Sequence, residues 1–427
     1  MRATPHYIGE SNTFMAAPTA PLAALRSRDF TLLWFGNMVS MAGTEMSRTA
    51  VAWQIYALTH DPLALGLIGA ARLVPLMLLA LGSGVLADAL DRRRLMIGSQ
   101  IAMLLCSLAL ASTSTVGVAS LWVVYAVTAV AAAANTLGLP ARQAIIPSLV
   151  PREHLAGALS LNITAMQLAT VLGPSLGGVI IAAAGVGAVY WIDAVTFGVI
   201  IVALLLMRAY PVQGERRNVS LGAAIEGLRF VRGNSLILST MLLDFLATFF
   251  SSATTMLPLF ANDILAVGPQ GMGLLFAAPS VGAVVASIFC SMYGVGKRQG
   301  RLLLVAVVAY GMATMLFGMS SVFWLSLLML ALTGASDTVS MVIRGTIRNL
   351  ETPDELRGRM VSVNMLFFAG GPQLGEIEAG IAARMLGGPI SVALGGLACA
   401  VMTGAVALTT PSLRRYRDGA KRIAGID

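Results

Sequence analysis

Residues 84–94 of the chain read Gly84-Val85-Leu86-Ala87-Asp88-Ala89-Leu90-Asp91-Arg92-Arg93-Arg94. This stretch separates two long apolar segments, roughly 63–87 and 95–114, and each is long enough to cross a bilayer as a helix. The sequence therefore predicts a short basic hairpin loop between two transmembrane helices. Asp88 is expected to pair with an arginine or to cap the next helix, because negative charge is favoured at a helix N-terminus. Alternatively, the loop only holds its side of the protein in the cytoplasm, where Lys and Arg are enriched.

The composition places the whole chain in a membrane. Of its 427 residues, 57% are hydrophobic and only 11% are charged, whereas soluble domains carry about 25% charged residues. The three cysteines, Cys106, Cys290 and Cys399, lie apart in apolar runs, so neither a disulfide framework, a metal site nor a cofactor is expected.

The net charge of +8 is distributed as in a membrane protein rather than a nucleic-acid-binding one. Apart from Arg48, Arg72 and Arg384, the Lys and Arg residues fall in the termini or in every second loop. This alternation predicts that both termini are cytoplasmic, and it gives no reason to expect a nucleic-acid partner.

Twelve apolar segments predict an all-α membrane protein with twelve transmembrane helices. They lie near residues 30–58, 63–87, 95–114, 121–139, 155–184, 189–207, 235–260, 272–292, 302–319, 323–343, 361–386 and 390–408. The predicted organisation is a flexible cytoplasmic tail at 1–24, a six-helix bundle at 25–208, a cytoplasmic linker with an amphipathic helix at 209–234, a second six-helix bundle at 235–410 and a basic cytoplasmic tail at 411–427.

The two halves repeat each other. A shift of 202 positions superposes Trp122 on Trp324, Asn135 on Asp337, Arg142 on Arg344, Pro151 on Pro353 and Asn162 on Asn364. One constant offset through so many matches indicates two parallel six-helix repeats. In transporters built this way the substrate site lies between the halves, near the bilayer midplane.

Residues 25–416 resemble an exporter of the major facilitator superfamily, from the branch that contains bacterial siderophore (enterobactin-type) exporters and drug exporters. Residues 84–94 are similar to that family's loop between helices two and three, although Ala89 stands where a basic residue is common and Asp91 where a glycine is common. Gly173-Pro174-Ser175-Leu176-Gly177-Gly178 is similar to the Gly-Pro-x-x-Gly-Gly signature of proton antiporters. Thr352-Pro353-Asp354-Glu355-Leu356-Arg357-Gly358-Arg359 is similar to the loop before helix eleven.

The resemblance implies a monomeric, multi-pass protein of the bacterial cytoplasmic (inner) membrane that exports a small molecule in exchange for protons. It implies a conformational gate at Gly84, Asp88, Arg92, Arg93 and Arg94. It also implies an antiporter-like helix carrying Gly173, Pro174, Gly177 and Gly178. One feature departs from the proton-coupled drug exporters, many of which have an arginine inside the fourth span. The predicted span 121–139 contains none.

Glycine and proline also have a physical role in the fifth span, because they let helices approach closely and bend. Residues 371–375, Gly-Pro-Gln-Leu-Gly, repeat the device in the eleventh span. We expect Gly177 to lie where the two halves touch, so that a leucine there prevents their closure. Helix packing without any antiport role is the alternative.

Ionisable residues inside spans are costly and usually face a cavity or a partner. The candidates for a proton or substrate pathway are Glu45, Arg48, Arg72, Asp244, Asp337, Glu376 and Glu378. Glu45 is the deepest and is the predicted coupling residue, with Asp244 the second choice. Because Arg48 follows three residues later on the same helix face, a purely structural ion pair of Glu45 with Arg48, or with Arg72, is the alternative.

We expect smaller roles for the other polar residues of the spans. Glu376 and Glu378 lie about 200° apart around a helix, so both cannot face one cavity. Asp193 is expected near the outer end of its span, in contact with water, and Arg142 and Arg344 at cytoplasmic helix ends. The amides that can line a passage are those of Asn37, Gln54, Asn162, Gln167, Asn364 and Gln373.

The sequence favours a secondary active exporter of an amphipathic organic compound, such as a siderophore, drug or metabolite. A lipid or metal-ion facilitator on the same fold and a non-transporting membrane sensor are the alternatives. An enzyme is not expected, because the histidines, His6, His60 and His154, lie in a tail and two loops without partners for catalysis.

Overall fold

The computed structural model describes residues 21–89, 91–208 and 221–417. The predicted N-terminal tail up to residue 20, linker residues 209–220 and the end of the basic tail from residue 418 lie outside the described residues, as do the side chains of residues 80–89. Within the described ranges the secondary structure is helical, without strands.

Thirteen α-helices organise these ranges. They are α1 (Arg28–Thr59), α2 (Pro62–Ala89), α3 (Arg92–Val116), α4 (Leu121–Leu149), α5 (Leu155–Leu206), α6 (Leu221–Gly233), α7 (Ser235–Phe250), α8 (Gly268–Tyr293), α9 (Gln299–Gly318), α10 (Phe323–Glu351), α11 (Asp354–Leu386), α12 (Gly388–Thr409) and α13 (Pro411–Arg415). Short 3₁₀ turns at Pro21–Arg26 and Arg152–His154 precede α1 and α5, and short helical turns continue α7 as far as Ile264.

Gly185 divides α5 into the predicted fifth and sixth spans. Its φ of 79° and ψ of 173° interrupt the helix, and a residue with a Cβ rarely adopts a positive φ of this kind. The two spans are therefore joined by a single glycine rather than by a loop.

Nine segments of the described residues are long and apolar enough to cross a membrane. One of them, Arg152–Leu206, contains both of the spans that Gly185 separates. Helices α1 and α11 are also long enough, but they are less apolar or carry more charged residues than the other spans. They are the helices that contain Glu45, Arg48, Glu376 and Glu378. The protein is an all-α membrane protein, and the count of twelve spans stays a prediction.

The two halves pack internally and then against each other. In the first half α5 packs on α1 and α3, and α2 packs on α4; in the second, α9 packs on α10 and α12, and α7 packs on α11. The halves meet through α2 against α11 and α5 against α8. The shift of 202 positions superposes α2 on α8 and the first span of α5 on α11, so the α2–α11 contact and the α5–α8 contact are equivalent to each other, as a parallel repeat requires.

Contacts between the halves concentrate at the end of the molecule where α1 ends, α2 begins, α11 ends and α8 begins; we call it the closed end. Tyr56 donates a hydrogen bond to Asp263 there, and Arg384 lies 3.6 Å from Asp61. A Cβ on Gly66 would lie 2.7 Å from Gly380 Cα. Glycine at both positions therefore allows the backbones of α2 and α11 to touch.

The outer surface is apolar, as a bilayer requires. Large side chains such as Leu78, Leu105 and Val305 are exposed. Trp122 and Trp324, which the repeat superposes, begin α4 and α10 with indoles that are 77% and 75% exposed. Tryptophan is enriched at membrane–water interfaces, so these two residues mark one interface in both halves.

The basic hairpin is shorter than the sequence predicts. Helix α2 continues to Ala89 and α3 begins at Arg92, so Gly84 and Asp88 belong to a helix rather than to a loop. Asp91 caps α3, because its carboxylate accepts a hydrogen bond from the Arg94 N–H at 2.9 Å; the Asp88 side chain, from which a cap or an ion pair was expected, lies outside the described residues. We call the end of the molecule that contains this turn the basic end.

Candidate functional site

A cavity of about 290 Å³ lies inside the first half of the molecule. Its walls are built by α1, α3, α4 and α5, with a contribution from α2, and Gln373 of α11 reaches it from the second half. The polar lining residues are Ser40, Thr44, Glu45, Ser47, Arg48, Arg72, Gln100, Ser107, Thr128, Asn135, Thr136, Arg142, Asp193 and Gln373, and the apolar ones include Met41, Val51, Leu76, Met103, Leu110, Val127 and Phe197. A cavity with this mixture suits an amphipathic molecule.

Glu45 and Arg48 form the ion pair that their spacing predicts. The carboxylate Oε1 lies 2.9 Å from Arg48 Nη1, and both residues line the cavity. The Glu45 side chain is 20% exposed and that of Arg48 is 53% exposed. The pair is thus open to the cavity, where a ligand or a proton can reach it.

Arg72 pairs across the interface with Glu376 rather than with Glu45. Its Nη1 lies 3.3 Å from Glu376 Oε1. Arg72 is ten residues into α2 and Glu376 is ten residues from the end of α11, which places the pair about 15 Å from the closed end, near the middle of a bilayer. Glu378 is half-buried and takes part in none of the described ion pairs, which agrees with the opposed directions expected for these two glutamates.

The expectation that Asp193 contacts water at the outer end of its span is wrong. Asp193 lies eight residues beyond the break at Gly185 and is only 2% exposed. Its Oδ2 accepts hydrogen bonds from Ser47 at 2.6 Å and Ser107 at 2.7 Å, and Thr196 approaches its Oδ1 at 3.5 Å. A carboxyl group that joins α1, α3 and α5 therefore lies in the cavity wall, held by hydroxyl groups.

Arg142 does not lie at the end of its helix. Helix α4 continues to Leu149, ten residues beyond the predicted span, because Pro140 and Pro147 are accommodated within it. The fourth helix therefore does contain an arginine, contrary to the sequence-based expectation. Arg142 is half-buried, lines the cavity and donates from Nη1 to Asn37 Oδ1 at 3.4 Å.

Arg344 is not at an aqueous interface either. It is 2% exposed and lies 2.8 Å from Asp244 Oδ1 and 3.1 Å from Asp337 Oδ1. Arg348 next to it donates to the Arg344 carbonyl and to Asn364. Asp244 and Asp337 therefore form a separate cluster inside the second half, and the structure does not bring them to the cavity.

The Gly-Pro-Ser-Leu-Gly-Gly segment has two faces. A Cβ on Gly173 would lie 2.6 Å from Glu45 Cβ, and one on Gly177 would lie 3.1 Å from Met46 Cα. Both glycines thus pack α5 on α1 within the first half, and the expectation that Gly177 lies between the halves is wrong. Gly178 is the residue at the interface, because its Cβ would lie 3.0 Å from Gly273 Cα of α8; Pro174 also contributes there, through its carbonyl.

The arginines of the basic turn bind helix ends of their own half. Arg92 Nη1 donates to the Ala144 carbonyl at 3.0 Å. Arg93 donates to the carbonyls of Leu204 at 2.6 Å and Leu205 at 2.7 Å. These contacts fasten the start of α3 to α4 and to the end of α5, where unpaired carbonyls favour a cation.

The comparison with known proteins identifies the family. Residues 19–423 match the family of transmembrane secretion effectors. The chain belongs to this family of the major facilitator superfamily. As a member of it, the protein is a multi-pass transporter rather than an enzyme.

Among curated relatives, the enterobactin exporter EntS of Citrobacter koseri is 27% identical over 392 residues, which are 91% of this chain and 93% of the relative. EntS of Escherichia coli O1:K1 / APEC is 25% identical over 402 residues, with 93% and 95% coverage.

Solved structures share the fold at low identity. A bacterial homologue of the human lysosomal transporter Spinster gives a TM-score of 0.68 at 14% identity and covers 91% of this chain and 96% of its own. A POT family transporter gives 0.71 at 12% identity, with 90% and 96% coverage.

Sequence reasoning undervalued Asp193 and Arg142. The repeat offset contained a signal for Arg142, because it superposes this residue on Arg344 and Asn135 on Asp337. No pattern in the sequence marks Asp193, whose hydroxyl partners come from two distant helices.

Proposed function

We propose that this secretion effector exports an amphipathic organic compound by alternating access, coupled to proton entry, and that siderophores are the first class of cargo to test. The observation that carries the proposal is the cavity in the first half. The Glu45–Arg48 pair and the buried Asp193 lie in the walls of this cavity. The similarity to exporters named for enterobactin supports the choice of siderophores.

The hydrogen bond, ion pairs and close glycine contacts described between the halves support an arrangement that is closed at one end. They extend from Tyr56–Asp263 at the closed end to Arg72–Glu376 about midway. If the charge alternation of the loops sets orientation, the closed end faces outward and the basic end faces the cytoplasm. Cargo then enters the cavity from the cytoplasm and leaves when these contacts separate.

Glu45 is the proposed coupling residue. Its carboxylate is in the cavity, and its partner Arg48 is 53% exposed, so no packing holds the pair together. When Arg48 holds the carboxylate, the charged form is stabilised; when cargo or a conformational change removes Arg48, a proton replaces it. The two conformations then bind protons with different affinity, which is what coupling requires.

Deleting the gene in the source organism tests the cargo class. Siderophores should accumulate inside the mutant and decrease in the medium under iron limitation, and the intact gene should restore secretion. Normal siderophore secretion by the mutant, with altered secretion of another compound, would contradict the cargo proposal and leave export itself in place.

A further inference from the structure

The cavity contains a cation that has no carboxylate partner among the described residues. Arg48 and Arg72 pair with Glu45 and Glu376, and Arg384 lies beside Asp61. Arg142, which is half-buried in the cavity wall, meets the amide of Asn37 instead. An amide oxygen accepts a hydrogen bond but does not neutralise a guanidinium charge.

The second half shows what a neutralised version of this site looks like. Arg344, which the repeat superposes on Arg142, lies against Asp244 of α7 and Asp337 of its own helix. In the first half, Asn135 of α4 takes the place of Asp337, and the place of Asp244 falls to Ala42, because the shift superposes these residues. Asn37, about one and a half turns before Ala42 on α1, is the residue that contacts Arg142. Asn135 and Arg142 are seven residues apart, two turns along one face of α4, and both line the cavity. Asp337 thus corresponds to an amide in the first half and Asp244 to an alanine, so neither carboxylate has a charged counterpart near Arg142.

The other acids of the cavity are too far along the helices to replace them. On α1, Asn37 is the partner of Arg142 and Ser47 is the partner of Asp193. The ten residues between them separate the two sites by about 15 Å, and Glu45 lies about 12 Å from Asn37. Glu45 is in addition already paired with Arg48.

We infer that Arg142, with Asn37 and Asn135, is a binding site for the acidic group of the cargo: an oxygen anion such as a carboxylate. A guanidinium presents paired N–H donors that match such oxygens. A charge in the membrane interior is costly until a counterion compensates it. Here the cargo supplies the counterion, and the amides supply neutral hydrogen-bonding groups beside it.

The inference deepens the proposed export function and rests on it for the identity of the ligand. Binding to the purified full-length chain tests it separately, with 1-naphthoate as the acid and 1-naphthamide as its neutral analogue. Wild-type protein should bind the acid in preference to the amide, and the acid should raise its Tm. Arg142→Gln should lower affinity for the acid by roughly 10- to 100-fold, the range for a charge-assisted hydrogen bond, and leave the amide unaffected.

Asn135→Asp provides the sharper variant, because it changes little in shape and recreates the Asp337–Arg344 contact beside Arg142. It should remove the preference for the acid while the protein keeps its Tm. Arg301→Gln, at an exposed position at the start of α9, removes an equal charge outside the cavity and should change nothing.

Equal affinity of the wild type for both probes, or no measurable binding of the acid, would overturn the inference. So would an Asn135→Asp protein that still prefers the acid. Acid-selective binding without any siderophore secretion would contradict the proposed cargo and leave the anion site intact. Siderophore secretion that Asn135→Asp does not affect would support the export function and refute the site.

Discussion

An alanine at Gly178 should push the two halves apart at the closed end. Its Cβ would lie closest to the Pro269 carbonyl oxygen and 3.0 Å from Gly273 Cα. Carbon atoms are in optimal contact at about 3.5–4.0 Å, so α5 and α8 must separate by at least about 0.5 Å. The atoms that this Cβ would contact cannot rotate away, because they belong to the backbone of α8. Overpacking of this kind costs about 1–3 kcal/mol, and the cost falls only on the conformation in which these helices touch. The population should therefore shift by roughly 5- to 140-fold toward the alternative conformation.

Cys106 lines the cavity and can report this shift. In protein lacking the other two cysteines, an impermeant maleimide applied to one side of oriented vesicles measures access to Cys106 from that side. Gly178→Ala should transfer labelling toward the closed-end side.

Two matched alanine variants serve as controls. Gly198→Ala is on the same helix, where a Cβ meets nothing within 4 Å, and Gly177→Ala is crowded within one half only. Identical labelling ratios for Gly178→Ala and Gly198→Ala would refute the assignment of this contact to a conformational interface.

Three further variants test individual contacts. Glu45→Gln mimics the protonated carboxyl group and should abolish proton-driven efflux while cargo still binds, and Glu45→Asp should retain part of the activity; undiminished uphill transport by Glu45→Gln would move coupling to another carboxyl group. Arg72→Glu should impair efflux, and the exchange Arg72→Glu/Glu376→Arg should recover part of it. The free energy of unfolding lost in Arg72→Glu should be less than the roughly 3–5 kcal/mol lost when a fully buried pair is broken, because both side chains are more than 20% exposed. Arg93→Ala removes two hydrogen bonds to the end of α5 and should lower the free energy of unfolding by about 1–3 kcal/mol. Its Tm should therefore be lower than that of Arg94→Ala, because the Arg94 side chain has no described hydrogen bond. Equal Tm values would show that Arg93 does not stabilise the first half.

Periodicity and charge predicted the helices because a bilayer imposes length and apolarity on each span. The constant offset predicted two parallel repeats, but not which helices join them; the α2–α11 and α5–α8 contacts are known from the structure alone. Helix ends were less predictable. Residues 84–89 and 140–149 look like loops in composition, yet they continue α2 and α4.

Side-chain partners were predictable only within one helix. The Glu45–Arg48 pair followed from a three-residue spacing, which is a local property of a helix. Arg72–Glu376, Asp193–Ser107 and the direction in which Gly177 and Gly178 face depend on how separate helices rotate against each other. No single sequence contains that information in its periodicity.

The most direct test of proton-driven export is transport by the purified protein in proteoliposomes, with enterobactin as the cargo and an imposed pH gradient as the only energy source. Enterobactin should accumulate against its gradient on the side with more protons, and a protonophore should abolish the accumulation. Movement of enterobactin that only equalises its concentration, with or without the pH gradient, would contradict proton coupling and show a passive facilitator.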